Sequence, residues 1–176
     1  METPSDRLAR GVHAAFAELY DVCADRVHHY LVVRLGSRTD ADDVLQETFL
    51  RLVRQRAKLA GVENLVAYAF TVARNEALRL SQRRSREFAR LDPLPAEDLF
   101  CEAAGKDDRA RETAEWVTRG LARLEPDLRE LVELKMYGGL TIREISEVTG
   151  LPQGTVATRY RKALEAMRSR MQKECK

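Results

Sequence analysis

The feature that most constrains this chain is the segment from Gly138 to Arg170, which encodes two helices joined by a short turn. Thr141 and Glu144 form an S/T-x-x-E capping box, in which the hydroxyl and the carboxylate pair with backbone N–H groups at a helix start. Gly150 is the residue type that ends a helix in the left-handed conformation, and Pro152 suits the first turn of a helix that follows. The segment therefore predicts a helix-turn-helix.

The second helix of this pair begins near Gln153 and has the chemistry of a major-groove reader. Short polar side chains near its amino end suit base edges, and arginines farther along suit bases or phosphates. The alternative is a helical hairpin that only packs, but basic residues far outnumber Glu165 and Glu174 here, which favours DNA. The candidate DNA-binding residues are Gln153, Thr155, Thr158, Arg159, Arg161 and Lys162.

Length, composition and net charge limit the class of protein that this chain can be. The chain has 176 residues, a hydrophobic fraction of 44% and a formal net charge of +2. That length suits one domain or two small ones, and polyanion binding must come from local basic patches. No apolar run approaches the roughly 18 residues of a membrane helix, and no signal peptide is evident. We therefore expect a cytoplasmic protein without a membrane span.

Catalytic and metal chemistry are not indicated. Cys23, Cys101 and Cys175 are odd in number, far apart and without a CxxC motif, so neither a disulfide framework nor a zinc site is expected. The histidines lack partners at ligand spacing. No nucleophile-base pair or glycine-rich phosphate loop can be assembled either. We expect no cofactor, no metal and no enzymatic activity.

Helical periodicity also dominates the amino-terminal half. Apolar residues at three- and four-residue steps predict a helix over Arg7–Leu35, followed by a break at Gly36. Thr39 or Asp40 is expected to cap the next helix, which runs to about Lys58. The predicted buried stripe of that helix is Val44, Leu45, Thr48, Phe49, Leu52 and Val53.

A further helix is predicted after Asn64, and it becomes basic along its length. An aromatic ring and an amide near its head, followed by arginines, suit single-stranded nucleic acid, because bases stack on rings while cations track phosphates. The alternative is a solvated, charged helix end. The candidate residues are Tyr68, Arg74, Asn75, Arg79 and Arg83.

Residues 91–108 contain helix breakers and an excess of acidic side chains, which predicts an acidic linker. Helices are then expected from about Arg109 to Leu124 and from Pro126 to the glycine pair that follows. The predicted fold is all-α. Two small helical domains, residues 1–90 and 109–176, flank the linker, and the second is a bundle that presents the helix-turn-helix.

In this order of parts the chain resembles a bacterial RNA polymerase sigma factor of the extracytoplasmic-function group. The resemblance rests on DADDVLQETFLRLVR at residues 40–54, AYAFTVARNEALRL at 67–80 and LEPDLRELVELKMYGGLTIREISEVTGLPQGTVATRYRKALEAM at 124–167. It implies a non-catalytic initiation factor, with residues 1–90 as sigma region 2 and residues 109–176 as sigma region 4. It also implies promoter DNA, core RNA polymerase and an anti-sigma factor as partners.

The resemblance also gives a role to the polar side of the helix that follows Gly36. From the sequence pattern alone, this side would be expected only to face solvent. Asp43, Gln46 and Glu47 are expected to dock on the clamp of the largest polymerase subunit. Region 4 is expected to bind the flap of the second-largest subunit. The linker at residues 91–108 resembles the segment that threads the RNA path of the polymerase.

The resemblance also assigns the DNA contacts. The helix from Tyr68 to Arg84 resembles the region that melts and holds the −10 element, and the loop from about Arg56 to Asn64 resembles the one that captures a flipped base. Thr158 and Arg159 fall where the family reads the −35 element.

The chain departs from the family pattern at three places. Tyr68 and Ala69 replace a frequent Trp-Leu pair, Arg79 replaces a frequent aspartate, and Ala157 replaces a frequent lysine or arginine. Two other functions therefore stay open at this point. One is a dimeric helix-turn-helix regulator that needs no polymerase, and the other is an adaptor that binds polymerase without melting DNA.

Overall fold

The computed structural model describes residues 3–88, 117 and 120–174. Within that part of the chain every regular element is a helix, as the sequence predicts. The predicted acidic linker at residues 91–108 and most of the helix predicted from Arg109 to Leu124 lie outside the described residues. None of the described helices is both long and apolar enough to cross a membrane.

Helices α1 to α4 form the amino-terminal half, with a short 3-10 turn between α3 and α4. Their bounds are Pro4–Ala9 for α1, His13–Leu35 for α2, Arg38–Arg54 for α3, Arg56–Leu59 for the 3-10 turn and Leu65–Phe88 for α4.

The single helix predicted over Arg7–Leu35 is wrong at its amino end. The chain turns at Gly11, whose φ is 80°, and the Gly11 N–H donates to the Leu8 carbonyl at 2.9 Å. Glycine enters this left-handed conformation without a Cβ penalty, so the turn separates α1 from α2.

Both ends of α3 differ from the prediction. The cap is Ser37, whose hydroxyl accepts from the Asp40 N–H at 3.2 Å, rather than Thr39 or Asp40 itself. The Asp40 carboxylate is instead buried against Arg84, which donates to it at 2.6 Å. The helix ends at Arg54, because the chain tightens into the 3-10 turn before the predicted end.

Helices α2, α3 and α4 pack against one another as a bundle. Their buried faces include Val27 and Tyr30 of α2, Leu52 of α3 and Phe70 and Ala73 of α4. The predicted α3 stripe is confirmed at Val44, Thr48 and Leu52 but wrong at Val53, which is 41% exposed.

The carboxy-terminal half contains α5 at Pro126–Met136, α6 at Ile142–Thr149 and α7 at Gln153–Glu174. The predicted capping box is confirmed. The Thr141 hydroxyl accepts from the Glu144 N–H at 3.2 Å, and the Glu144 carboxylate accepts from the Thr141 N–H at 2.7 Å. Gly150 ends α6 with a φ of 73°.

The two halves pack directly against each other, α4 against α6 and α2 against α5. Ile145 and Val148 of α6 belong to the same buried apolar cluster as Phe70 of α4. A Cβ on Gly138 would lie 2.9 Å from Phe70 Cε1, so this close approach requires glycine. One buried apolar cluster thus spans both domains.

Candidate functional site

The turn between α6 and α7 is held by local hydrogen bonds. The Ser146 hydroxyl donates to the Leu151 carbonyl at 2.6 Å, and the Thr149 hydroxyl donates to the Ile145 carbonyl at 2.7 Å. Val156 of α7 is fully buried beneath this turn. The angle between the two helices is therefore fixed, as a reader of duplex DNA requires.

The outer face of α7 bears the predicted DNA-binding residues. Gln153, Thr158, Arg161 and Lys162 are exposed, whereas Thr155 and Arg159 are partly buried. The opposite face packs inward through Ala163 and Met167.

Arg159 already has an acidic neighbour. Its Nη1 lies 3.7 Å from an Asp127 carboxylate oxygen at the start of α5. The Asp127 side chain is 82% exposed and that of Arg159 is 41% exposed, so this pair contributes little to stability.

The candidate residues on α4 lie on one helix, but they do not form one exposed surface. Asn75, Arg79 and Arg83 are exposed, and Tyr68 is half-buried against the core. Arg74 is engaged by α5, since its Nε and Nη2 donate to the two Glu130 carboxylate oxygens at 2.9 and 2.8 Å. These hydrogen bonds raise the pKa of Arg74.

A buried carboxylate offsets part of the remaining positive charge on α4. Glu76 accepts from Arg79 at 2.6 Å and lies 2.7 Å from Arg51 of α3. The sequence showed the arginines but not this pairing, because Arg51 belongs to another helix. The positive surface is consequently smaller than the sequence suggests.

The predicted polymerase-binding flank lies on the outside of α3. Asp43 and Gln46 are exposed. Glu47 is half-exposed and lies 3.4 Å from Arg54, two turns farther along the helix. The three side chains share one side of the helix, as predicted.

Sequence reasoning missed the apolar groove beside this flank. It has a volume of about 730 Å³ and lies between α2 and α3, with Asp43 and Gln46 on its rim. The rings of Tyr20 and Phe49 both line it and contact each other at a tilt, with centroids 4.8 Å apart. Its apolar lining includes Phe16, Tyr20, Phe49, Leu50 and Val53. The available signal was the surplus of apolar residues on α3 beyond one stripe.

A second groove, of about 640 Å³, lies beside the loop that precedes α4. Residues 3–6 line one side and residues 61–66 the other. Asn64 fixes the loop, because its side-chain oxygen accepts from the Ala67 N–H at 3.0 Å. The contribution of residues 3–6 was missed, because nothing local places them beside this loop.

Among residues 3–88 and 120–174, no group of three His, Cys, Asp or Glu side chains is placed to hold a metal ion. Cys23 is buried, and burial raises its pKa to about 11. At neutral pH it is therefore an unreactive thiol.

The family model of sigma-70 region 2 matches residues 19–87, and that of sigma-70 region 4 matches residues 114–167. The ECF RNA polymerase sigma factor RpoE of Cereibacter sphaeroides is 34% identical over 90% of this chain and 87% of its own length. This chain belongs to the ECF RNA polymerase sigma factors. It acts with RNA polymerase in promoter-specific transcription initiation and is not an enzyme.

Other comparisons agree on the sigma factor fold. SigK of Mycobacterium tuberculosis is 28% identical over 93% of this chain and 89% of its own length. The solved structure of the Bartonella quintana sigma factor RpoE with the anti-sigma factor NepR aligns at a TM-score of 0.73. It is 19% identical, covers 89% of this chain and 96% of that chain, and supports the fold alone. CnrH, solved with the cytosolic domain of CnrY, aligns at 0.69, with 20% identity over 96% of this chain and 95% of that chain.

Proposed function

We propose that this sigma factor reads a −35 element with α7, traps unpaired bases of the −10 element at the head of α4, and docks on core polymerase through the groove between α2 and α3. The observation that carries the proposal is the outer face of α7, where polar and basic side chains are exposed behind a rigid, capped turn. The surfaces for the −10 element and for core polymerase are proposed from the position of the same regions in the sigma factor family.

For the −35 element, the amino half of α7 enters the major groove. Thr158 and Arg159 reach base edges, because a recognition helix meets bases near its amino end. Arg161 and Lys162 are exposed farther along the helix and neutralise phosphates, an attraction that falls steeply with salt. Ala157 is exposed among them and adds no charge.

For the −10 element, α4 offers a stacking surface and cations. Tyr68 provides the ring, while Asn75, Arg79 and Arg83 provide an amide and charges on exposed positions. Base stacking on aromatic side chains is worth about 1–3 kcal/mol per base and tolerates many sequences. The groove beside residues 61–66 is large enough to receive an extruded base.

For core polymerase, the groove between α2 and α3 combines an exposed apolar floor with an acidic rim. A helical clamp with apolar and basic side chains fits this surface, because interface cores are apolar and their rims carry complementary charge. Region 4 binds the flap of the second-largest subunit. With both regions held by one enzyme, each meets its DNA element at a high effective concentration, so weak contacts suffice.

An anti-sigma factor is a further partner in the proposal. The Bartonella quintana sigma factor that shares this fold was solved with one. Such a partner and core polymerase both act in the cytoplasm, where we place this protein.

The test is run-off transcription with purified core polymerase on the promoter upstream of the chain's own gene. The expected outcome is initiation that requires both the protein and core enzyme. Arg159→Ala is expected to weaken promoter binding by about 1–3 kcal/mol and to relax base preference in the −35 element. A matched change at the phosphate-contacting position, Arg161→Ala, should weaken all sequences equally.

Two results would contradict the proposal. Tight binding of the protein alone to a palindrome, as a dimer, would indicate a regulator that needs no polymerase. Binding to core enzyme without permanganate-reactive thymines in the −10 region would indicate an adaptor that does not melt DNA.

A further inference from the structure

We propose that Glu76 is a positioning residue for the −10 contact, and that it holds Arg51 of α3 and Arg79 of α4 together as a clamp for one phosphate of the unpaired strand. The ligand of this phosphate clamp is a backbone phosphodiester rather than a base. The inference rests on the proposed function, because it takes the outer face of α4 as the surface that holds the strand. It adds a cation from α3 and the carboxylate between the two guanidinium groups.

One carboxylate oxygen holds both arginines. Oε1 of Glu76 lies 2.7 Å from Nη1 of Arg51 and accepts a hydrogen bond from Nη1 of Arg79 at 2.6 Å. Two guanidinium groups at this separation would repel each other without an anion between them. The shared oxygen uses one nitrogen of each group, so other N–H donors of both remain for a second acceptor.

The carboxylate lies beneath the two cations. The Glu76 side chain is 10% exposed, that of Arg51 is 29% exposed and that of Arg79 is 58% exposed. Ala73 and Ala77, close to Glu76 on α4, are buried, so Glu76 lies at the edge of the packed face of the helix. An anion that approaches from solvent therefore meets the guanidinium groups before the carboxylate.

The cluster has one positive charge more than a tie between helices needs. Arg51 and Glu76 alone connect α3 to α4. Arg79 follows Glu76 on the same helix, and an exposed pair of this kind contributes little to stability. Within the described part of the chain, Glu76 is the one carboxylate that pairs with either arginine. The excess charge matches the single negative charge of a phosphodiester.

The clamp depends on the cation at position 79, where aspartate is frequent in the family and this chain has Arg79. An aspartate there would put a second carboxylate beside Glu76 and Arg51. The site would then have a negative net charge and would repel a phosphate.

The clamp also lies on the face of α4 that is proposed for the −10 strand. Asn75, Arg79 and Arg83 are spaced four residues apart and share that face. Tyr68 precedes Arg79 by 11 residues, which is about 16 Å along the helix axis. A single nucleotide does not reach both, so the clamp binds the backbone of a different nucleotide from the one that stacks on Tyr68. The two contacts together orient the strand along α4.

The test determines which phosphate each variant senses. Holoenzyme is assembled from core polymerase and a saturating amount of the full chain. Its affinity is measured by fluorescence anisotropy on a premelted bubble fragment of the promoter upstream of the chain's own gene. The fragment lacks the −35 element. Methylphosphonate linkages, which have no charge, replace the phosphates of the non-template strand one at a time.

We expect one linkage at which the methylphosphonate weakens binding of the wild-type holoenzyme about tenfold, as loss of charge-assisted hydrogen bonds implies. Arg51→Met and Arg79→Met should each weaken binding to the unmodified fragment. Each should also reduce the effect of that same linkage to less than about twofold. Arg143→Met removes a positive charge from an exposed ion pair on α6 and should keep the full effect of the linkage.

Glu76→Gln separates positioning from charge. It makes the chain more positive, so charge alone predicts tighter binding. Loss of the shared anion instead lets the two cations move apart, and we expect binding about threefold weaker with a reduced effect of the linkage. Glu147→Gln makes the same change of charge in the ion pair with Arg143 and should neither weaken binding nor reduce that effect.

Three results would overturn the inference. The first is a wild-type holoenzyme for which no single linkage matters. The second is an effect of the linkage that persists in Arg51→Met, which would show that Arg51 only ties α3 to α4. The third is tighter binding by Glu76→Gln with the effect of the linkage undiminished.

Circular dichroism verifies that each variant is folded. If Glu76→Gln unfolds, Arg51→Lys decides the question, because lysine keeps the charge but lacks the planar fork that contacts two acceptors at once. It should lose the effect of the linkage as Arg51→Met does, and a retained effect would contradict the clamp.

The fate of the proposed function is read separately. If the wild-type holoenzyme fails to initiate on the intact promoter, the proposed function is wrong and the clamp falls with it. If it initiates and the linkage effects are the same in the wild type and in all variants, the clamp alone is wrong.

Discussion

At the scale of single residues, the capping box of α6 links sequence to stability most directly. Burial acts to raise the pKa of Glu144, but hydrogen bonds from the Thr141 N–H and hydroxyl, with help from Asn64 and Arg26, outweigh it and lower that pKa. A lowered pKa means that the ionised carboxylate stabilises the folded state. This stabilisation is present above the ordinary carboxyl pKa of 4.5 and is lost as pH falls through the lower, folded value.

We therefore predict that Thr141→Ala lowers the free energy of unfolding by about 1 kcal/mol at neutral pH, as loss of an N-cap does. Urea denaturation of the full chain measures the change. Acidification below the ordinary carboxyl pKa should reduce the difference from wild type. Thr158→Ala removes an exposed hydroxyl from mid-helix and should change stability by less than about 0.5 kcal/mol. Equal losses in both variants would contradict the role of the cap.

The capping box could be predicted because its partners are three residues apart. Asp40 could not be assigned in the same way. Its partner Arg84 lies 44 residues later, and the local pattern favoured a cap for α3 that Ser37 in fact provides. Single-residue roles are therefore predictable where the partner is local.

At the scale of elements, α3 shows what periodicity can and cannot provide. The stripe at Val44, Thr48 and Leu52 was predictable, since it repeats at helical spacing and faces the bundle. Leu50 and Val53 stay exposed because they line the groove that remains between α2 and α3. Such a groove depends on packing between helices, which the pattern of a single helix does not encode.

The groove supports a prediction about polymerase binding. Asp43→Lys places a cation on its rim and is expected to weaken binding to core polymerase about tenfold, since rim charges govern encounter and complementarity. Affinity is measured by competition with another sigma factor for core enzyme. Asp25→Lys makes the same charge change on an exposed α2 position outside the groove and should have little effect.

Glu47→Lys should cost less than Asp43→Lys, because Arg54 already offsets part of the Glu47 charge. Equal binding by Asp43→Lys and wild type, with both proteins folded, would remove this face from the polymerase interface.

At the scale of the whole molecule, the packing of the two domains against each other was not predictable. The polar contacts between the domains join residues far apart in sequence, by 56 positions for Arg74 with Glu130 and by 113 for Arg26 with Gly139. The sequence predicted two domains joined by a tether, and the family assignment supports two domains. The sequence contained no sign that arginines proposed for DNA binding pair with α5. The reason is that the charge pattern along one helix does not identify partners on another helix.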